Sequence, residues 1–306
     1  MKKLAIIGAA IVDILVSGAD ESVFRSGSQP AEGIVMSHGG GALNEALVLR
    51  HLGADVTLHT LLGADAAGES VLQHMAKRGL STHGVRLRPD ISTSVNVVLV
   101  QPGGERSFLT DPRASQRRLR PEDIPSPFPE DAGIMCFASI FVFPEMKIPD
   151  MAELFRRAKA QGITVCADMT RPKNGESVRD LAPALQYVDY LFPNASEAML
   201  LTGEQSVEAA AEAIFAAGVK NVLIKCGSEG CYVRNSEGAF RHSAAKARRC
   251  VDSTGAGDSF VGGFLYGLAR EESLTDCLRR ASYCGARAVE HLGATAWTEA
   301  AGSKDF

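Results

Sequence analysis

The sequence lacks most of the patterns that would place it in a familiar function class at sight. Its seven cysteines form an odd set without a C-x-x-C pair, and several lie inside apolar runs such as Ile163-Thr164-Val165-Cys166-Ala167. Free thiols in a reducing compartment fit that usage better than a disulfide framework or a zinc site. No G-x-x-x-x-G-K-[ST] occurs, which excludes a Walker-type phosphate grip. Gly8-Ala9-Ala10-Ile11-Val12 does not complete G-x-G-x-x-G, which disfavours a dinucleotide fold. The seven histidines show neither H-x-x-x-H nor H-E-x-x-H, and His38, beside a glycine run, reads by default as solvated surface. No apolar stretch approaches the ~20 residues needed to span a bilayer. Leu4–Val12 behind Met1-Lys2-Lys3 imitates a signal peptide, but Asp13 interrupts it and no clear small-x-small cleavage site follows. A buried first strand over residues 1–13 is the simpler reading. An excess of charge of one sign is also lacking: 32 Lys and Arg face 36 Asp and Glu, a formal −4. That balance gives no sequence-independent hold on nucleic acid or on an anionic membrane. A cytoplasmic protein with neither partner is expected.

What is present is ordinary globular material. The 306 residues are 45% hydrophobic and 22% charged, enough apolar side chains to offset the entropy of ordering. Length alone admits two domains, or one large α/β domain. Two textures alternate along it. Residues 14–38 and 91–112 mix polar and apolar residues between turn formers. Thr93–Val100 and Arg106–Thr110, joined by Pro102-Gly103-Gly104, read as a hairpin. Its partner strands are expected at Ile14–Ser17 and Ile34–Ser37. Elsewhere helical and strand patterns take turns. Met151, Leu154, Phe155 and Ala158 recur at helical spacing with Gly162 as the stop, followed by the apolar strand Ile163–Ala167. Tyr190–Phe192, a helix from Val207 to Gly218, Asn221–Lys225, and helices over Ala256–Ala269 and Leu274–Val289 continue the cycle. This predicts an α/β fold with a mostly parallel sheet in three α/β/α layers, ligands binding at the carboxyl ends of its strands. Pro121–Pro129 reads as a surface connection.

Five segments can carry chemistry, each with a plainer structural alternative. Asp252-Ser253-Thr254-Gly255-Ala256-Gly257-Asp258 opens a helix. Its small residues let backbone approach a ligand, unpaired N–H groups face outward, and Asp258 can accept a proton from a hydroxyl. Asp252 or Asp258 as a helix cap is the alternative. Gly39-Gly40-Gly41-Ala42-Leu43-Asn44 offers backbone amides and a side-chain amide to a polyhydroxylated ligand, or a flexible turn. Asn194 and Glu197 share one face of a helix entrance, suited to Mg²⁺-bound water or to a capping box. Cys226-Gly227-Ser228-Glu229-Gly230 is a strand–turn–strand that can admit an adenine or be an ordinary hairpin. Asp13, expected at the end of the first strand, can bind two sugar hydroxyls or cap a turn.

Taken together, Asp13, Gly39-Gly40-Gly41-x-x-Asn44, Gly63-x-Asp65-x-x-Gly68, Asn194-x-x-Glu197, Cys226-Gly227-x-x-Gly230 and Asp252–Asp258 resemble, in this order, the ribokinase-like (PfkB-type) carbohydrate kinases. The likeness runs from the first strand to Gly293. It implies one kinase domain over 1–306 with a small β lid from about 14–38 and 91–112. It also implies phosphorylation of a sugar hydroxyl, usually a primary one, by ATP and Mg²⁺. On this resemblance Asp258 is the base and the Gly255, Ala256 and Gly257 backbone is the anion hole. Asp13, Gly40, Gly41 and Asn44 hold the sugar, Asn194 and Glu197 (Mg²⁺, through water) serve the triphosphate, and Lys225, Gly227, Ser228, Gly230 and Ser282 line the nucleotide. A monovalent cation such as K⁺ would sit near Asp252 and Thr254 with carbonyls of Ala288, His291 and Gly293. Lys225 stands where the family often has Ser or Thr, Ser139 where some members place a substrate-binding Glu, and Trp297 where Ser or Thr often completes the cation site. A nucleoside kinase, with Phe24 or Phe108 for stacking, and a sugar-phosphate kinase using Arg106 and Arg113 are alternatives on the same scaffold. A non-catalytic sugar sensor is disfavoured by an intact Asp258. A homodimer through the lid is expected.

Overall fold

The computed structural model describes residues 1–101, 105–129 and 131–299. Its first apolar run is not one strand. Lys3–Ile7 (β1) enters the middle of a large sheet, the chain bends at Gly8, and Ile11–Ser17 (β2) crosses into a second, smaller sheet. Gly8 has φ +154°, and a Cβ there would lie 2.9 Å from the Ala138 carbonyl oxygen, so the bend is available only to glycine. The expected strand over 1–13 is therefore broken. Asp13 lies inside β2, opposite Ser37 and Asn96, rather than at the end of the first strand.

A short helix Ser22–Ser26 (α1) leads to Gly33–Gly39 (β3), antiparallel to β2. The glycines then open helix Gly41–His51 (α2), whose residues Ala42–Leu49 are all buried. Val56–Gly63 (β4), Ala66–Lys77 (α3) and Val85–Arg88 (β5) return to the large sheet. Val95–Val100 (β6) pairs antiparallel with Arg106–Thr110 (β7) and parallel with β2, so the small sheet runs β3-β2-β6-β7. The expected turn at Pro102-Gly103-Gly104 lies outside the described residues.

Strand and helix then alternate: Ala132–Ile140 (β8), Ile148–Ala160 (α4), Thr164–Met169 (β9), Val178–Leu185 (α5), Tyr190–Leu191 (β10), Ala195–Thr202 (α6) and Val207–Ala216 (α7). Asn221–Lys225 (β11), Cys231–Asn235 (β12), Gly238–His242 (β13), Ala256–Ala269 (α8) and Leu274–Ala288 (α9) complete the order. The large sheet runs β13-β12-β11-β10-β9-β8-β1-β4-β5, parallel except for the antiparallel edge formed by β12 and β13. Apolar residues cover both of its faces. Phe137, Phe155, Leu191 and Ile214 pack on one side, and Leu43, Leu47, Leu223 and Phe264 on the other. Each such side chain removed from water contributes about 1.5–3 kcal/mol. This is the three-layer α/β/α core with a smaller second sheet. Gly262 and Gly263 bring α8 close against Val48 and Cys284, which side chains there would prevent.

Two expectations need correction. The segment 121–129 is not a plain surface connection, because Ile124 and Phe128, 4% and 2% exposed, close the core beneath it. His38 is not solvated surface: it is half-buried, stacks on His74 with ring centroids 4.4 Å apart, and bonds Ser70 Oγ through Nε2 at 2.9 Å.

Candidate active site

Adjacent parallel strands deliver polar groups to one place at their carboxyl ends, where such sheets leave a crevice. Asp168 lies near the end of β9, Asn194 follows β10 and Lys225 ends β11. Asp258 joins them from the first turn of α8.

The helix start is shaped by Gly255, its N-cap, which is left-handed at φ +73°. A Cβ there would lie 2.6 Å from Ala294 Cα, so glycine alone lets this turn close on the 293–294 segment. Asp252 ties the same pieces together. Its Oδ1 accepts from Thr254 N at 3.0 Å and Thr254 Oγ1 at 2.7 Å, and its Oδ2 from Gly293 N at 3.0 Å. Asp252 thus ties the Thr254 turn to Gly293. Ala288 is fully buried on α9, and His291 Nδ1 is 3.1 Å from the Arg287 carbonyl. With three donors already on the carboxylate, backbone carbonyls would supply most ligands to a monovalent ion. Trp297 is no part of that loop surface; it is fully buried among Val48, Leu52 and Ala288, with Nε1 donating to Ser259 Oγ at 3.1 Å. Of the Gly255, Ala256 and Gly257 backbone expected to form the anion hole, the Ala256 N–H donates to the Ser253 carbonyl at 3.2 Å within the turn.

Asp258 Oδ2 accepts a 2.6 Å hydrogen bond from Asn44 Nδ2. Burial raises the Asp258 carboxyl to about 6; Asn44 and Lys225 favour its charge, while Asp168 opposes it. Asn44, expected on the sugar, is only 6% exposed and its Nδ2 holds this carboxylate. Gly41 and Ser139 stand close beside Asp258. A Cβ on Gly41 would lie 2.7 Å from Ser139 Oγ and 3.7 Å from Asp258 Oδ1. Ser139 reaches this point through a register shift in the β8–β9 pairing and a left-handed backbone, φ +68°. At the other end of the glycine run, a Cβ on Gly39 would lie 2.7 Å from Asp13 Oδ2. Asp13 Oδ1 accepts from Asn96 Nδ2 at 3.1 Å, and burial pushes its carboxyl up. Gly40, against the Ala9 carbonyl, joins the two ends. Asn96 escaped the sequence reading; its signal is a polar residue within the valine-rich strand 95–100.

On the opposite side, Asn194 and Glu197 make a reciprocal capping box. Glu197 N donates to Asn194 Oδ1 at 2.9 Å and Asn194 N to Glu197 Oε2 at 2.8 Å. Glu197 Oε1 has no hydrogen bond among the described residues, and burial raises this carboxyl. Among the described residues no group of three His, Cys, Asp or Glu side chains is arranged to hold a metal. One half-buried carboxylate suits an ion such as Mg²⁺, which keeps most of its waters and arrives with phosphates. Gly227 and Ser228 are exposed in a short 3₁₀ turn, and Gly230 packs on the His242 carbonyl. Ser282 does not join them, being 7% exposed with its hydroxyl enclosed in α9. The side chain of Arg106 lies outside the described residues; its backbone starts β7.

Lys225 is placed differently from the nucleotide-lining position expected of it. Its Nζ is 2.9 Å from both carboxylate oxygens of Asp168, and 3.4 Å from where a Gly257 Cβ would stand. Glu45 was missed altogether. It is fully buried beside Asp168, Asp258 and Lys225, and burial holds its carboxyl well above the usual range. Its signal was a charged residue next to Asn44 in the run Ala42–Leu47, whose other four members are apolar.

Comparison with known proteins gives the family. The family model "pfkB family carbohydrate kinase" matches residues 1–301. Aminoimidazole riboside kinase of Salmonella typhimurium (strain LT2) is 29% identical over 306 residues, covering 96% of this chain and 91% of that protein. Ribokinase of Staphylococcus aureus (strain COL) is 26% identical over 264 residues, 84% of each chain. The crystal structure of aminoimidazole riboside kinase from Salmonella enterica, complexed with aminoimidazole riboside and an ATP analog, superposes with TM-score 0.81 at 25% identity. It covers 97% of this chain and 96% of that one. The chain belongs to the pfkB family of carbohydrate kinases.

Proposed function

We propose that this pfkB-family chain transfers the γ-phosphate of ATP to a hydroxyl, a primary alcohol, of a monosaccharide, with Asp258 as general base. The observation that carries the reading is Asp258 in the first turn of α8, beside Gly41 and held by Asn44, with a carboxyl raised to about 6 that suits proton acceptance near neutrality. Asn44 fixes the orientation of that carboxylate. Asp13, held by Asn96, and the glycine run offer acceptors and close backbone approach to the other sugar hydroxyls. The amides of Gly255 and Gly257, at the positive end of α8, stabilise charge on the transferring group. Asn194 and Glu197 orient the triphosphate, and Gly227, Ser228 and Gly230 flank the nucleoside. Mg²⁺ arriving with ATP supplies charge neutralisation on the phosphates, Glu197 reaching it through water.

The residues 14–38 and 91–112 form the lid over the acceptor, excluding water that would otherwise compete as nucleophile. Ile34, Val35, Met36, Phe108 and Leu109 on its strands are 57–69% exposed, a density of apolar surface that supports a homodimer through the lid. All seven cysteines are unbridged and five are buried, which supports a cytoplasmic setting. A riboside acceptor is the second reading, favoured by the relative named for aminoimidazole riboside. ADP release measured across neutral sugars, sugar acids, sugar phosphates and nucleosides tests both. The expected result is turnover with a free monosaccharide; release with no acceptor in the panel sinks the proposal.

A further inference from the structure

The buried lysine at the end of β11 is not accounted for by lining a nucleotide. Its side chain is 14% exposed and turns away from the exposed Gly227–Glu229 turn toward Asp168. An ammonium has three N–H donors. Two meet Asp168 Oδ1 and Oδ2 at 2.9 Å each, and the third has no acceptor among the described residues. The face left over looks onto the turn that opens α8. Nζ is 3.4 Å from the point a Gly257 Cβ would occupy, so the missing side chain leaves the cation in view of the Gly255–Gly257 amides. Glu197 presses on this cation from the nucleotide side and Asp258 from the acceptor side, and Asp168 and these two together keep it charged. A tether alone does not explain such an investment, since a buried Lys–Asp pair is often no more stable than apolar residues of the same volume.

We propose that Lys225 is a catalytic residue whose third N–H contacts a non-bridging oxygen of the γ-phosphoryl group, with Asp168 holding the ammonium in place. This rests on the kinase reading above. In the transfer, the bond from the γ-phosphorus to the β–γ bridging oxygen breaks and its electron pair leaves on ADP. The acceptor oxygen forms the new P–O bond and its proton passes to Asp258. Lys225 keeps its proton throughout and acts through charge, which in a water-poor site costs no reorganisation during the step.

The contact exists with ATP and not with ADP, and that difference is the test. Binding of ADP and of a non-hydrolysable ATP analogue, both with Mg²⁺, is measured by calorimetry for the native protein and for Lys225→Met. Loss of one charge-assisted hydrogen bond should weaken the analogue roughly 10–100-fold. ADP should change by less than about threefold, and kcat should fall on the order of 10²–10³-fold. Lys225→Arg should recover part of the analogue affinity. Should the Met variant not fold, Lys225→Met with Asp168→Asn removes cation and anion together and serves the same comparison. Equal weakening of both nucleotides, or unchanged affinity for both with only a lower melting temperature, overturns the proposal. A native protein that binds neither nucleotide overturns the kinase reading instead.

Discussion

The two sheets follow opposite rules. In the large one, Ile6, Ile7, Phe137 and Val165 are 0% exposed, and helices cover both faces. In the small one both edge strands, β3 and β7, carry large apolar residues in water: Ile34 is 69% exposed, Phe108 59%. An uncovered apolar edge invites pairing or association, so natural proteins rarely keep one without a use. The large sheet is thus covered by the chain's own helices, while the small one leaves large apolar residues in water. The chemistry sits on their seam. The glycine run leaves β3 of the small sheet and enters α2 of the core, with Asp13 at one end and Asp258 at the other. The core should therefore control rate and stability, and the small sheet acceptor affinity and association.

The sharpest test of that division is Asp258→Asn, which leaves the small sheet untouched. Turnover should fall on the order of 10²–10⁴-fold with the acceptor KM little changed. In the native enzyme kcat/KM should fall as pH drops through about 6, because only the ionised carboxylate accepts a proton. Stability should run the other way. The folded pKa of about 6 lies above the ordinary 3.8, so the folded state holds this proton more tightly, and stability is lost as pH rises from about 4 to 6. Asn removes that cost, about 3 kcal/mol at ~1.4 kcal/mol per pH unit. The dead variant should melt higher at neutral pH than the native protein. A lower melting temperature would mean that Asp258 is structural. Asp168, Lys225, Glu45 and Asn44 face the same group, so the inflection belongs to the cluster.

A second pair sets the sheets directly against each other. Phe137→Ala, in the large sheet, should cost about 3–5 kcal/mol in denaturant unfolding. Ile34→Lys, in the small sheet, should cost within about 0.5 kcal/mol while converting a dimer to a monomer in sizing chromatography at micromolar concentration. A native protein already monomeric there, or a large stability loss in the lysine variant, breaks the comparison.

Legibility followed the same seam. Asn221–Lys225 and Ala256–Ala269 could be read to the residue, because a continuous apolar strand and a Gly-bounded helix each announce their own ends. The crossing between sheets could not. Residues 4–12 are uniformly apolar, and only the small Gly8-Ala9-Ala10 marks where one sheet is left for the other. Motif order singled out Asp258, Gly41 and Asp13, and the structure sets Gly41 close to Asp258 and Gly39 close to Asp13, yet partners remote in sequence stayed hidden. Asn44 meets Asp258 across 214 positions and Lys225 meets Asp168 across 57, distances at which no local pattern speaks. His38 stacking on His74 was hidden for the same reason.

The smallest expected effect separates two carboxyl groups of the same cluster. Glu45, like Asp258, is buried with a raised pKa, but it is 0% exposed and only the weakly donating Cys136 thiol stands beside its carboxyl group. A carboxylate in that position would carry charge into the core, so burial favours the neutral acid, which resembles a glutamine in charge and shape. Glu45→Gln should change stability by less than about 1 kcal/mol and leave the acid limb of kcat/KM where it was. Were Glu45 ionised, its repulsion would be part of what raises Asp258, and the Gln variant would move that limb toward lower pH. The position of one inflection in two proteins therefore decides whether the core side of the seam holds one working carboxylate or two.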